Sequence, residues 1–306
     1  MISRVSQQQL MRSAQAHMQS NMSELARLQI QASTQKALSR PSDDPGGTAD
    51  SLRVRSELRA NQQFQRNIDD GTGWLSTVDS ALATTTNLLN RVRDLTVQGA
   101  NDGVLSPAAK QAIAMELRGV KEDLLNQANT TYLGRTIFAG TSDAGTAFDV
   151  DPLGGGYVYN GGAGSVERRI SPTAKVDVDA DGAAVFGLDD PAAPSQSIFS
   201  VIDAIVARLT GASPGGSISS FLPDIDARME SIREQQAVVG TRHAQIQRAE
   251  EISMEQAGAL EIQRSGIEDV DLAEVILELR MQEVAYNATL AVSARVLPVT
   301  LMDFLR

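Results

Sequence analysis

The chain has no cysteine among its 306 residues, which removes disulfide staples, thiolate metal sites and cysteine nucleophiles together. Lysine is nearly as scarce, present only as Lys36, Lys110, Lys121 and Lys175. With 27 basic against 38 acidic side chains and a formal charge of −11, the chain has nothing to neutralise a run of phosphates, so nucleic acid is not an expected partner. Aromatic residues make up only 4 %, a composition suited to long helices packed on small side chains. No apolar run approaches the roughly 18 residues that span a bilayer, so no membrane partner is expected. Residues Met1 to Ile30 also lack the apolar core of a secretory leader. The two histidines, His17 and His243, fall on helical stretches without a partner at metal-ligand spacing. They read as solvated helix residues. No catalytic, cofactor-binding or metal-binding residue emerges, and the chain is not expected to be an enzyme.

What is abundant is helical periodicity. Met11, Met18, Leu25 and Ala32 recur every seventh position, with Ala14 and Leu28 beside them, which predicts a first helix from about Ser3 to Leu38 with one apolar face. Arg40-Pro41-Ser42-Asp43-Asp44-Pro45-Gly46 then punctuates the chain. Asp44 can cap and Pro45 can fill the first position of a second helix, where a missing N–H costs nothing. Its stripe runs through Phe64, Ile68, Leu75, Val78, Leu82, Leu89 and Val92. Unbroken to Ala100, that helix would be about 84 Å long at 1.5 Å per residue. Ser106-Pro107 opens a third helix by the same logic, with Ile113, Leu117, Val120, Leu124 and Ala128 as its buried face.

Between Arg135 and Pro194 the pattern changes to short β-prone runs, Thr136-Ile137-Phe138, Tyr157-Val158-Tyr159 and Ala174 to Val178, separated by turn signals. The glycine clusters Gly154-Gly155-Gly156 and Gly161-Gly162-Ala163-Gly164 fit hairpin turns and lack the Lys-Ser/Thr of a phosphate loop. Asp177-Val178-Asp179-Ala180-Asp181-Gly182 imitates the start of a calcium loop, but Leu188 stands where the bidentate Glu belongs. Turn chemistry is the expectation there, with the aspartates from Asp177 to Asp190 facing solvent and opposed by no nearby base.

Helix returns at Gln196 and breaks at Gly211 to Gly216, after which Ile218, Ile225, Ile232, Val239 and Ile246 form the cleanest heptad in the chain. The last helix, from about Asp269, carries two stripes. One runs through Ile276, Leu279, Tyr286, Leu290, Leu297 and Phe304, the other through Val270, Leu277, Val284 and Ala291. A helix apolar on two faces needs partners on both, and a single intramolecular partner covers only one. Charge adds to this: residues 1–40 hold five bases against Glu24, while 268–306 hold seven acids against three arginines, so the two ends are complementary.

Several motifs together resemble the flagellin superfamily. Pro41-Ser42-Asp43-Asp44-Pro45 is similar to its most recognisable element, Asn67-Ile68-Asp69-Asp70-Gly71 to its Asn-x-x-Asp-Gly, and Arg93-Asp94-Leu95-Thr96-Val97-Gln98 to its Arg-Glu-Leu-Ala-Val-Gln, with Asp for Glu. Ala128 to Gly140 resembles the superfamily's passage from helix to β structure, and the ending Leu297 to Leu305 resembles junction-type members more than filament flagellins. The resemblance implies a mainly α fold with a β-rich insertion: a long-helix coiled-coil bundle of flagellin type, its terminal helices paired and a small β domain in mid-chain. Residues 1–40 and 268–306 would form the terminal polymerisation region, 41–135 and 196–267 the helical bundle, and 136–195 an inserted outer domain. It further implies a structural subunit at the junction of hook and filament, extracellular and exported through the flagellar type III apparatus without a cleaved signal. The implied partners are further copies of itself, the other hook–filament junction protein, the flagellin filament, the export apparatus and a chaperone. Met11, Met18 and Leu25 at one end, with Leu279, Tyr286, Leu290, Leu297 and Phe304 at the other, are the candidate assembly interface. Filament flagellin is the alternative within the superfamily, and a coiled-coil type III secretion or adhesion factor the alternative outside it.

Overall fold

The computed structural model describes residues 2–101, 105–151, 156–189, 196–213 and 216–304, with the side chains of 2–8, 10 and 294–304 outside that description. The chain divides into two compact units, one of residues 1–60 and 255–306, the other of 61–254.

The first unit holds α1 (Ile2–Thr34) and α7 (Leu272–Phe304), together with the opening of α2 (Pro45–Gly99) and the end of α6 (Leu222–Glu268). α1 packs along α7. Leu28 and Val275 are buried there, and Asn21 bonds Thr289 at 3.2 Å. The first helix stops at Thr34, short of the expected Leu38, because Gln35 turns into the left-handed region (φ 57°) while its N–H still reaches the Gln31 carbonyl. The freed strand then pairs in antiparallel fashion with the turn before α7: Ala37 N–H donates to the Glu268 carbonyl at 2.7 Å, and Val270 N–H to that of Gln35 at 3.3 Å. At the entry to α2 the expected cap is present, Asp44 Oδ1 accepting the Gly47 N–H at 3.0 Å.

The second unit is built on α2, α3 (Pro107–Ala128), α5 (Ile198–Leu209) and α6. Every member of the α6 heptad is buried: Ile225, Ile232, Val239 and Ile246, with Ile218 in a short 3₁₀ turn ahead of the helix. Seven residues on, Ser253 occupies the same register and is buried against Asn61, whose amide donates to the Ser253 carbonyl at 3.0 Å. A polar layer thus ends the apolar seam. On α2 the stripe from Ile68 to Val92 is buried as expected, with Phe64 only half covered. α3 begins at the Ser106 cap, buries all five expected residues and packs closely on α5.

The segment between α3 and α5 contains three separate antiparallel pairs among the described residues. These are β1 (Thr131–Tyr132) with β2 (Arg135–Thr136), β3 (Phe148–Val150) with β4 (Tyr157–Tyr159), and β5 (Glu167–Arg169) with β6 (Lys175–Asp177). Leu133 and Gly134 join the first pair with φ of 48° and 80°, the two positive angles of a tight hairpin turn. Ile137 and Phe138, expected in strand, instead leave the pair and are fully buried. Phe138, Phe148, Phe186 and Phe199 interlock with ring centres 5.3 to 5.7 Å apart, so aromatic packing replaces a continuous sheet. Their core is contiguous with that of α3 and α5. Gly140 (φ 56°) is required where the chain doubles back, since a Cβ would strike the Gly162 and Gly164 carbonyls.

The aspartates of this region do not face solvent unopposed, which corrects the sequence expectation. Asp179 is buried and takes a hydrogen bond from the Ser165 hydroxyl. Arg242 of α6 donates to the Asp179 carbonyl at 2.6 Å and lies 3.3 Å from the Asp177 carboxylate. Asp181 caps α4 (Gly182–Phe186), and Asp189 accepts the N–H groups of Tyr157 and Ser197. The opposing base lies 65 residues away in sequence, where local patterning has no view of it. Asp190 lies outside the described residues, as do Gly154 and Gly155.

Candidate functional site

Nothing enclosed and chemically equipped stands out among the described residues. A cleft of about 550 Å³ in the second unit is lined by Asp177, Asp181 and Arg242 and by Gly161 to Gly164. The Arg242 guanidinium already faces the Asp177 carboxylate there, and Asp181 is engaged in capping α4. No group of three or more His, Asp or Glu is placed to hold a metal among the described residues. His17 is exposed and His243 half-buried on their helices.

The unusual chemistry lies on α7, where apolar side chains face water. Leu277 is 61 % and Val284 70 % exposed, and Ile276, Met281 and Val292 are exposed beside them. Alanine, leucine and valine are frequent along α7 and lie on two faces. α1 partly covers one: Leu279 and Tyr286 are half-buried, with the Tyr286 hydroxyl 3.8 Å from the Met22 sulfur, while Ile276 and Leu290 of the same stripe stay exposed. The stripe of Leu277, Val284 and Ala291 is left open. A contiguous apolar face on a charged helix marks an interaction surface.

Of the expected interface residues, Met11 and Leu290 are exposed, while Met18 and Leu25 are half-buried. Leu297 lies within α7 and Phe304 is its last residue, their side chains outside the described residues. The Pro41 to Pro45 motif forms a closed turn: Asp43 Oδ2 accepts from the Ser39 hydroxyl at 2.9 Å and the Arg40 N–H at 3.1 Å, and Asp44 caps α2. The motif fixes how the link from α1 enters α2.

One group escaped the sequence altogether. Glu268, at the end of α6, is 4 % exposed and accepts from the Ser51 hydroxyl at 2.6 Å and from Arg55 Nε and Nη2 at 2.6 and 2.7 Å. The Arg55 contact, with help from Ser51 and Lys36, holds its carboxyl down at about 2 despite burial. Next to it, Lys36 bonds Asp269 at 2.5 Å and lowers that carboxyl too. Ser51 and Arg55 share a helix face at four-residue spacing, but nothing local distinguishes them from other polar residues of α2.

The family model for the bacterial flagellin N-terminal helical region matches residues 5–143. The chain is 25 % identical over 304 residues to flagellar hook-associated protein 3 of Salmonella typhimurium, covering 94 % of each chain. It is 24 % identical over 263 residues to the flagellin of Bacillus subtilis, covering 84 % of each. Among solved structures, a flagellar hook-associated protein 3 from Legionella pneumophila superposes with a TM-score of 0.61 at 18 % identity, over 70 % of this chain and 99 % of that one. The motifs, the paired terminal helices with their open apolar face, and the near-full-length likeness to hook-associated protein 3 point the same way, and residues 5–143 match the bacterial flagellin N-terminal helical region.

Proposed function

We propose that the chain is a structural subunit of the extracellular flagellum that forms the junction between hook and filament, polymerising through α1 and α7. The observation that carries this is the likeness to hook-associated protein 3 over nearly the whole of both chains. Self-association follows from the open stripe on α7, and contact with a hook-side junction protein and with the flagellin filament follows from position between them. Residues 1–40 and 268–306 act as the polymerisation region, with Met11, Met18, Leu25, Leu279, Tyr286, Leu290, Leu297 and Phe304 in its contacts. Residues 41–135 and 196–267 form the bundle and 136–195 an outer segment. Leu277 and Val284 join the interface, because they are the most exposed large side chains of the α7 stripes. Export through the flagellar apparatus with a chaperone on α7 completes the proposal.

Each large apolar side chain covered on assembly stabilises a contact by about 1.5–3 kcal/mol. The double variant Leu277→Gln, Val284→Gln should therefore be secreted at normal levels, melt like the parent and fail to retain filaments. A strain lacking the chain should carry bare hooks and shed flagellin into the medium. Filaments retained by both strains would refute the junction role, whereas hooks with intact junctions but no flagellin in the medium would favour filament flagellin.

A further inference from the structure

We propose that Glu268 is the positioning residue of the terminal helix pair: its buried carboxylate clamps the link before α2 and the turn before α7 onto the first turns of α2.

The geometry supports a clamp more than an ordinary surface ion pair. A single residue joins three stretches distant in sequence: from the end of α6 its carboxylate reaches Ser51 and Arg55 on α2, and its backbone carbonyl takes the strand at residues 35–37. Arg55 binds both carboxylate oxygens, the forked arrangement that fixes orientation as well as distance. Lys36 stands 3.8 Å from Oε2, and the backbone carbonyl of Glu268 takes the Ala37 N–H. The side-chain amide of Gln31, itself buried, donates to the Ala37 carbonyl at 3.0 Å, so the end of α1 is tied to the same place. α1 and α7 both leave from this point. Across it the pairing is carried by polar contacts, because the described buried apolar side chains of this unit are few: Leu28, Val54 and Val275. This inference concerns the monomer and stands apart from the junction role.

A buried carboxylate stripped of its partner is costly, whereas removing both charges together is far less so. Three variants of the full chain separate a clamp from generic packing: Arg55→Ala, the pair Arg55→Gln with Glu268→Gln, and Arg53→Ala as a control, since Arg53 is exposed on the same helix and pairs with Asp50 and Glu57. Hydrogen exchange is followed at the amides around residues 31–37 and 268–275 in dilute monomer. The second unit is followed through Trp74, the chain's single tryptophan, which is buried. Arg55→Ala should speed exchange at both stretches about tenfold or more, the scale of a charge-assisted hydrogen bond. The double glutamine variant, which loses the forked ion pair without stranding a charge, should exchange faster than the parent and slower than Arg55→Ala, Arg53→Ala should match the parent, and the Trp74 melting midpoint should not move in any of them. Exchange in Arg55→Ala no faster than in Arg53→Ala overturns the proposal. So does a double glutamine variant as protected as the parent, or a Trp74 midpoint that falls with the exchange protection.

Discussion

Two buried carboxylates give the two units opposite responses to acid. The carboxyl of Glu268 is held at about 2 by Arg55, with Ser51 and Lys36 assisting. The other charges nearby are Asp269 and Arg264, the latter acting on Asp269. A depressed carboxyl contributes stability above its unfolded value, near 4.5, and loses it as pH falls toward 2. That contribution is at most about 3 kcal/mol, and less because Arg55 is open to water. Asp179 is the reverse case, pushed up by burial against the pull of Ser165 and Arg242. A raised carboxyl penalises the fold while charged, so acidification relieves the second unit. On titration from pH 6 to 3, protection of the amides near residues 35 and 269 should fall while Trp74 stays buried. Simultaneous loss in both places would contradict the assignment. By the same contacts Asp179→Ala should cost about 1–2 kcal/mol by stranding the Ser165 hydroxyl, which no solvent-facing turn residue would do.

At the scale of elements, the sequence was legible wherever one helix face meets one core. The heptad of α6, the stripe of α3 and the Ser106 and Asp44 caps fell where periodicity and cap chemistry placed them, because those signals are local. It was not legible where an element ends for the sake of a distant partner. α1 yields four residues of expected helix to pairing with residues 268–270, and Ile137-Phe138 abandon a strand to fill an aromatic core. On α7 two stripes were visible, but among its described side chains the buried one is Val275, on neither stripe, since the angle at which α1 lies decides that. The β-rich segment carries the clearest consequence. Phe138, Phe148, Tyr157 and Phe186 share one core with Phe199 of α5, so removing residues 141–189 should expose several large side chains at about 1.5–3 kcal/mol each. That deletion should lower the melting midpoint of the second unit sharply and shift Trp74 emission to the red. A deletion variant as stable as the parent would mean that the segment is a detachable ornament.

Across the whole molecule, burial is distributed unevenly. The described core is almost entirely within residues 61–254, whereas the unit that carries α1 and α7 buries Leu28, Val54 and Val275 among its described apolar side chains and leaves Leu277, Val284 and Met281 in water. Long helices with little tertiary burial are marginal, since ordering each residue costs about 1–2 kcal/mol before packing offsets it. The monomer should therefore not unfold in one step. On heating dilute protein, far-ultraviolet circular dichroism should lose the α1 and α7 signal at a temperature clearly below the Trp74 transition, and trypsin at intermediate temperature should cut within residues 1–40 and 268–306 before the core. On the proposed assembly through α1 and α7, partners are added to the native ends alone, so polymerised protein should show the early transition moved up toward the late one, in proportion to the surface covered. Leu277→Gln with Val284→Gln should abolish that upward shift while leaving both monomer transitions in place. Coincident transitions in the monomer, or an early transition indifferent to polymerisation, would count decisively against terminal helices that are completed by neighbouring subunits.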